Sequence, residues 1–396
     1  MFQLDDRLLA LRRQTREWAA DFRELALPLD ADPALIAEHV DLPGVRFMST
    51  SMIPPEYGPP LVRIDGYHFA AMSALERVVL MEELAWGDAG VLLGSPGGSM
   101  SAVLMDILAD AAQKEFYYST LLARPTWTFF ALTEAGGGSD PASMRSALSV
   151  GDGGGPALLN GTKRYIGNGA RATLGVVFAR VRPGPLGITA VLVDTADPGF
   201  HAEPIETIGL RGVQVSELRL NDVEIADDRI LGRHLSPTRR GMWACVQTFD
   251  RLRPAVAAVA VGVARAAYEY VLAERLRPTK DERDRLDLIG RRIEGARQLV
   301  LYAGAAVDSH SGGRHLASAA KARACRLAED VTFQACDFLG PGARFEHPLL
   351  DKLVRDARGV EFMEGTRTMQ MLTLYQCLVS GKINRADPLG IGDRGE

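Results

Sequence analysis

The spacing of apolar residues changes twice along this chain of 396 residues, and these changes limit the folds that it can adopt. Residues 1 to about 126, and those from about 236 onward, show the three- and four-residue spacing of amphipathic helices. Between them lie short runs rich in β-branched residues. The clearest examples, in chain order, are Val78, Met81, Leu84 and Ala85, then Leu174–Val181 and Ile188–Val193, then Val256, Val259, Ala260 and Val263. Strands between two blocks of helices predict an α+β chain in three parts.

The predicted parts are an N-terminal helical domain (1–126), a middle β domain (127–235) and a C-terminal helical bundle (236–396). More than one part is expected from the length of the chain, because a single hydrophobic core stops growing at roughly 250–300 residues. Pro54-Pro55 and Pro59-Pro60 predict a loop within the first part. The glycine cluster 151–156 predicts an exposed turn between strands. Pro254 suits the first turn of a helix, so a helix is predicted to begin there.

Composition argues against several classes of protein. A net charge of -5 gives no support for a nucleic-acid or anionic membrane partner. The 4 cysteines form no CxxC pair and the 7 histidines show no ligand spacing, so neither a metal site nor a disulfide framework is expected. The sequence shows no recognisable signal peptide or membrane-spanning helix, and we expect a cytoplasmic protein.

A glycine-rich segment, Ala131–Asp140, follows a strand-like stretch and reads Ala-Leu-Thr-Glu-Ala-Gly-Gly-Gly-Ser-Asp. Glycines at this density let backbone amides approach a planar or anionic group. The pattern is not GxGxxG and no βαβ unit follows, which argues against a dinucleotide site of the Rossmann type. Taken alone, the segment is also compatible with an ordinary turn.

More than two hundred residues downstream stands Glu364-Gly365-Thr366. In this order and at this separation, the two segments resemble those of the acyl-CoA dehydrogenase family of flavoproteins, and the resemblance covers nearly the whole chain. It implies a helical domain, a β domain and a four-helix bundle, with FAD as cofactor and an acyl thioester as substrate. Glu364 takes the place of the catalytic base that removes the α-proton.

The resemblance also implies contacts between the β domain and the flavin. The glycine-rich segment is similar to the family's TEPGAGSD motif, so Leu132, Thr133 and Gly138 are expected at the flavin. Ser139 is expected at the flavin phosphate or at the pantetheine side of the substrate.

A second segment, Lys163–Gly169, is similar to the family's K-x-W-I-T-N-G strand and places Tyr165, Ile166 and Gly167 at the cofactor. Gly167 replaces a threonine whose hydroxyl often bonds flavin N5. The simpler alternative is a plain strand with Tyr165 in the core.

The bundle is expected to complete the cofactor site. Phe338–Gly342 resembles the F-G-G-x-G turn that binds the adenine-pyrophosphate half of FAD across a dimer interface, so Gly340 and Gly342 are candidates, with Thr366. The family's R-x-x-F-G segment is missing, and Arg275 (or Arg277) is the available cation. The resemblance implies a homodimer or homotetramer.

Substrate contacts are expected from Thr248–Pro254, which resembles the start of the family's substrate-binding helix. Asp250 and Arg253 would lie near the thioester and pantetheine arm, together with Ser139 and Gly365. Some members of the family carry the base near Asp250 instead, so Asp250 is the rival to Glu364. The alternative is a helix-capping Asp250 beside solvated arginines.

The function expected from this resemblance is FAD-dependent α,β-dehydrogenation of an acyl thioester carried by CoA or an acyl-carrier protein, with an unknown electron acceptor. Two alternatives stay open. One is a flavin oxidase or monooxygenase on the same fold, suggested by Gly167. The other is a non-catalytic homologue that binds acyl groups or a partner, suggested by the altered adenine-side segment.

Overall fold

The computed structural model describes residues 1–58, 61–150, 156–309, 313–381 and 383. The predicted loop of the first part is present around Pro54-Pro55, whereas Pro59-Pro60 lie outside the described residues. All but the last residue of the glycine cluster 151–156 also lies outside them.

The N-terminal part is mainly helical, as its periodicity predicts. Its helices are α1 (Asp6–Ala31), α2 (Pro43–Thr50), α3 (Ala74–Gly94), α4 (Ser99–Leu108) and α5 (Ala111–Ala123). The sequence did not predict a small antiparallel hairpin, β1 (Val62–Ile64) and β2 (Tyr67–Phe69). Strands of three residues are too short to show a two-residue period, which explains the omission.

The middle part forms a sheet of seven strands: β3 (Thr128–Ala131), β4 (Ala147–Val150), β5 (Ala157–Ile166), β6 (Leu174–Arg180), β7 (Ile188–Asp194), β8 (Phe200–Pro204) and β9 (Ser216–Ile225). Their order is β3-β6-β4-β5-β9-β8, with β7 paired to β6. Strand β6 is buried on both faces. Val176 and Phe178 pack in one cluster with residues of α4 and α6, and Val177 packs in a second cluster with β5 and β9. Burial on both faces accounts for its continuous apolar sequence.

The C-terminal part contains α6 (Gly241–Glu274), α7 (Lys280–Asp308), α8 (Arg314–Leu339), α9 (Ala343–Glu346), α10 (Pro348–Phe362) and α11 (Arg367–Val379). Helix α6 is long and apolar enough to cross a membrane by length and composition, but most of its apolar stretch is buried inside the protein. It packs against α3 and α8 and forms the centre of the main core.

The prediction that a helix begins at Pro254 is wrong. Helix α6 begins at Gly241, more than three turns earlier, and Pro254 is buried in its interior. A proline inside a helix removes one backbone hydrogen bond, but tertiary burial of the surrounding apolar face holds the helix together. Asp250 is therefore inside α6, and its interpretation as a helix cap is also wrong.

A buried charged triad joins α3 to α10. Lys352 donates to Asp88 and to Asp356, each at 2.5 Å, and all three side chains are almost inaccessible to solvent. Asp88 has non-helical backbone angles inside α3. Asp356 also accepts the backbone N–H of Leu210 at 2.6 Å. The triad thus fixes α10, the helix that leads to Glu364, against two other parts of the chain.

Candidate active site

Glu364 lies in the short turn between α10, which ends at Phe362, and α11, which begins at Arg367. Its φ is 50°, and that of Gly365 is 95°. Glycine adopts this left-handed region freely, whereas a residue with a Cβ is strained there. A strained glutamate in a tight turn indicates that surrounding contacts hold the backbone in this conformation.

Side chains from two helices hold this turn. Lys321 Nζ of α8 donates to the carbonyl oxygens of Glu361 at 2.6 Å and of Gly365 at 2.7 Å. Gln370 Nε2 of α11 donates to the carbonyl oxygens of Glu364 at 3.1 Å and of Gly365 at 3.0 Å. The sequence did not single out Lys321 or Gln370, because neither belongs to a recognisable motif.

The Glu364 carboxyl group is enclosed although its residue as a whole is only half-buried. Its Oε2 atom has no solvent exposure and no hydrogen-bond partner among the described residues. Burial raises the pKa of Glu364 to about 8, against the opposing charges of Arg253, Lys321 and Arg77, while Asp250 reinforces the rise. A carboxyl group with a pKa near neutrality is suited to accept a proton from a weak carbon acid.

Asp250 and Arg253 lie together on α6, as the sequence predicts, but Asp250 is engaged by arginines. Arg253 donates to it at 2.6 Å, and Arg314 of α8 lies 3.4 Å from its other oxygen. The pKa of Asp250 is raised by burial, and both arginines oppose that rise. Asp250 is thus the counterion of a buried arginine, whereas Glu364 has an unpaired oxygen.

Arg77 of α3 is a buried cation near Glu364 that the sequence did not reveal. Its guanidinium donates to the carbonyl oxygens of Ala71, Met72 and Arg251, the last at 3.2 Å. The bond to Arg251 links α3 to α6 one turn before the interior proline. Desolvation lowers the pKa of Arg77 to about 10.

The two predicted flavin segments of the β domain lie side by side. The N–H of Arg164 donates to the carbonyl of Thr133 at 2.9 Å, and Lys163 Nζ donates to the carbonyl of Leu132 at 3.0 Å. The Glu134 carboxylate stabilises the glycine-rich segment by accepting hydrogen bonds from the backbone N–H groups of Arg145 and Ser146. Burial alone would raise its pKa, but these bonds and Lys163 lower it to about 2.

Tyr165 is not a core residue, so the simpler alternative of a buried ring is wrong. It is 60% exposed and has a φ of 63°. The Ile166 side chain, in contrast, is buried, so only its backbone is available to a ligand. A Cβ on Gly167 would lie 3.2 Å from Val213, a tight contact that leaves little room for the threonine typical of the family.

The glycine-rich segment presents its second half to solvent. Gly138 and Ser139 are exposed, and Leu132 is buried. A Cβ on Gly138 would lie 3.2 Å from the methyl group of Thr133. The exposed backbone between these residues is free to approach a ligand.

The adenine-side candidates lie elsewhere in the bundle. Arg275 directly follows α6 and pairs with Glu282 at 2.9 Å, while Gly340, with a φ of 92°, and Gly342 form the turn after α8. In the part of the chain that the structure describes, no hydrogen bond or ion pair joins these residues to Thr133 or to Glu364. Thr366 immediately follows Gly365 at the start of α11. A role for these residues in cofactor binding stays a prediction.

Glu364 lines neither of two cavities found in the described structure. One of about 150 Å³ lies between the N-terminal segment, α3 and α7, with Phe2, Glu82 and Arg297 in its wall. The described residues contain no cluster of three or more His, Cys, Asp or Glu side chains arranged to hold a metal ion.

Comparisons with known proteins identify the family. The model of the acyl-CoA dehydrogenase middle domain matches residues 129–223, and that of the acyl-CoA dehydrogenase C-terminal domain matches residues 239–378. A probable acyl-CoA dehydrogenase, FadE25 of Mycobacterium tuberculosis, is 29% identical over 346 residues, which cover 83% of each chain.

Two solved structures extend the comparison. Butyryl-CoA dehydrogenase from Megasphaera elsdenii has a TM-score of 0.81 and 27% identity, covering 96% of this chain and 100% of its own. The prolyl acyl carrier protein oxidase AnaB has a TM-score of 0.77 and 21% identity, covering 95% of this chain and 100% of its own, and shows a shared fold. The matched segments, the three-part fold and the Glu364 turn together place this chain in the acyl-CoA dehydrogenase family.

Proposed function

We propose that this protein is an FAD-dependent oxidoreductase that introduces an α,β double bond into an acyl thioester, with Glu364 as the base. The observation that carries the proposal is the enclosed Glu364 carboxyl group, whose Oε2 atom has no partner among the described residues and whose pKa is raised to about 8. A buried carboxylate without a counterion bonded to it has a free lone pair for a substrate proton.

The residues around Glu364 support this role. Arg253 and Arg77 favour the ionised carboxylate electrostatically, and burial favours the protonated one. These opposing effects leave both forms accessible near neutral pH, which a group that must accept a proton and later release it requires. Enclosure of Oε2 keeps water from competing for the carboxylate.

The flavin segments fit a planar cofactor. The exposed Tyr165 ring, the exposed backbone around Gly138 and the adjacent Thr133 lie where two neighbouring segments meet. In the second of these segments, the Asn168 amide oxygen is buried without a partner among the described residues, although its Nδ2 donates to the Leu93 carbonyl at 3.0 Å. We infer that these residues hold the flavin end of FAD. When bound, FAD would accept the hydride from the β-carbon of the substrate.

The thioester carrier is either CoA or an acyl-carrier protein. The relatives named acyl-CoA dehydrogenase favour CoA. The fold is shared with a prolyl acyl carrier protein oxidase, so a protein carrier and an oxidase activity both stay as alternatives. Gly167 is the residue of this chain that favours an oxidase, because it has no hydroxyl to donate near the cofactor.

A direct test is to purify the protein, measure its flavin content and mix it anaerobically with a series of acyl-CoA and acyl-carrier-protein thioesters. We expect a yellow protein with non-covalent FAD whose visible absorbance bleaches with at least one thioester. Protein that neither contains nor takes up FAD would contradict both enzymatic functions and leave the non-catalytic alternative. After bleaching, admission of air distinguishes an oxidase, which reoxidises rapidly, from a dehydrogenase that needs another acceptor.

A further inference from the structure

Lys321 is an unusual residue for the middle of a helix bundle. Its side chain is fully buried on α8, yet in the described structure it forms no ion pair with a carboxylate. Instead its ammonium group donates to two backbone carbonyls, those of Glu361 and Gly365, at 2.6 and 2.7 Å. Because burying a charged group is costly, a lysine bonded only to backbone indicates that those carbonyls need a strong donor.

The two carbonyls lie on either side of Glu364. The Glu361 carbonyl belongs to the last turn of α10, where a helix leaves carbonyl oxygens without intrahelical partners. The Gly365 carbonyl belongs to the left-handed turn that follows. A single ammonium group bonded to both draws the end of the helix and the far side of the turn together, with Glu364 between them. The positive charge is also favourable at the C-terminal end of α10.

We propose that Lys321 is a positioning residue for the reaction proposed above: it fixes the turn so that the Glu364 carboxyl group stays in its enclosed place, and it supplies positive charge beside that group. The inference rests on the proposed function for its catalytic consequence. Its structural part, control of the turn by Lys321, stands on the hydrogen bonds alone.

Charged and titratable groups from three helices face Glu364. Among the described residues they include Arg77 from α3, Cys245, Asp250 and Arg253 from α6, and Lys321 from α8. Lys321 lowers the pKa of Glu364 and so opposes the effect of burial. Removing its charge therefore raises the pKa of Glu364 further. Since the base must be ionised, the rise of the reaction rate with pH then moves to higher pH.

Two replacements and one control separate this role from general stability. Lys321→Met keeps a side chain of similar length but removes its positive charge and its N–H donors. Lys321→Arg keeps the positive charge. Leu327→Ala, on the same helix and equally buried, disturbs the α8 core without touching the turn. Each holoprotein is examined by anaerobic flavin reduction across pH and by amide hydrogen exchange of residues 361–367.

For Lys321→Met we expect the maximal reduction rate to fall roughly 10- to 100-fold, the pH midpoint to rise by about one unit or more, and exchange in 361–367 to accelerate. Lys321→Arg is expected to retain the wild-type midpoint. Leu327→Ala is expected to lose thermal stability with an unchanged midpoint and unchanged exchange in the turn.

A wild-type rate, midpoint and exchange pattern in Lys321→Met overturns the inference. If Lys321→Met does not fold, Lys321→Gln is compared with Lys321→Arg, and equal midpoints for the two overturn it. If no thioester reduces the wild-type flavin, the proposed function fails, and hydrogen exchange still decides whether Lys321 controls the turn. Unchanged exchange then overturns the positioning role as well.

Discussion

Replacing Glu364 with glutamine tests two consequences of the same buried carboxyl group. Glutamine has nearly the same shape, so the fold and the cofactor should be retained. Its amide cannot accept the α-proton, so reduction of the flavin by substrate should fall by roughly 10²–10⁴-fold, as when a general base is removed. The measurement is anaerobic stopped-flow reduction with the thioester that bleaches the wild-type protein.

The second consequence concerns stability, and its size follows from the raised pKa. Glu364 has a pKa of about 8 in the folded chain against an ordinary value of 4.5. The folded state therefore binds this proton more tightly than the unfolded state, so the free energy of unfolding falls as pH rises between those two values. Between pH 5 and pH 8, the titration of Glu364 alone lowers the free energy of unfolding by about 3–4 kcal/mol.

Glutamine does not titrate, so the free energy of unfolding of Glu364→Gln does not show this decrease with pH. Denaturant unfolding of the two proteins, at one fixed excess of FAD, should show the variant gaining about 3–4 kcal/mol on the wild type between pH 5 and pH 8. Burying the glutamine amide has a free-energy cost that does not depend on pH. This cost cancels when the difference between variant and wild type at pH 8 is compared with that at pH 5. A difference independent of pH would refute the enclosed, high-pKa carboxyl group, and near wild-type bleaching would refute Glu364 as the base.

Three further outcomes test other parts of the structure. Asp250→Asn leaves the buried Arg253 without its counterion, so stability should fall by about 1–3 kcal/mol while substrate still reduces the flavin. A rate loss matching that of Glu364→Gln would make Asp250 the base. Lys352→Met leaves two aspartates buried together and should cost about 3–5 kcal/mol in denaturant unfolding; an unchanged midpoint would contradict the triad. We expect at least a dimer by light scattering, since no hydrogen bond or ion pair joins the Gly340 turn to the flavin segments within the described chain; a monomer that retains FAD would contradict a cofactor site shared between subunits.

The fold follows from the sequence because its three parts have different periods. Short runs rich in β-branched residues, such as Ile188–Val193, favour strands of a covered sheet, and the helical spacing on either side is equally distinct. The start of α6 could not be read in the same way. Pro254 favours a first turn locally, but burial of apolar residues along the whole of α6 outweighs the hydrogen bond that proline removes.

The sequence by itself determined the family and predicted the candidate base and flavin segments, because Glu364-Gly365-Thr366 and the glycine-rich segment are local patterns. Only the tertiary structure revealed Lys321 and Arg77, which lie 43 and 287 residues from Glu364 in the chain. It also showed Tyr165 exposed and Asp250 paired with Arg253. The physical reason is that burial and electrostatics depend on which helices pack together, so the pKa of a carboxyl group is set by neighbours that its own segment does not contain.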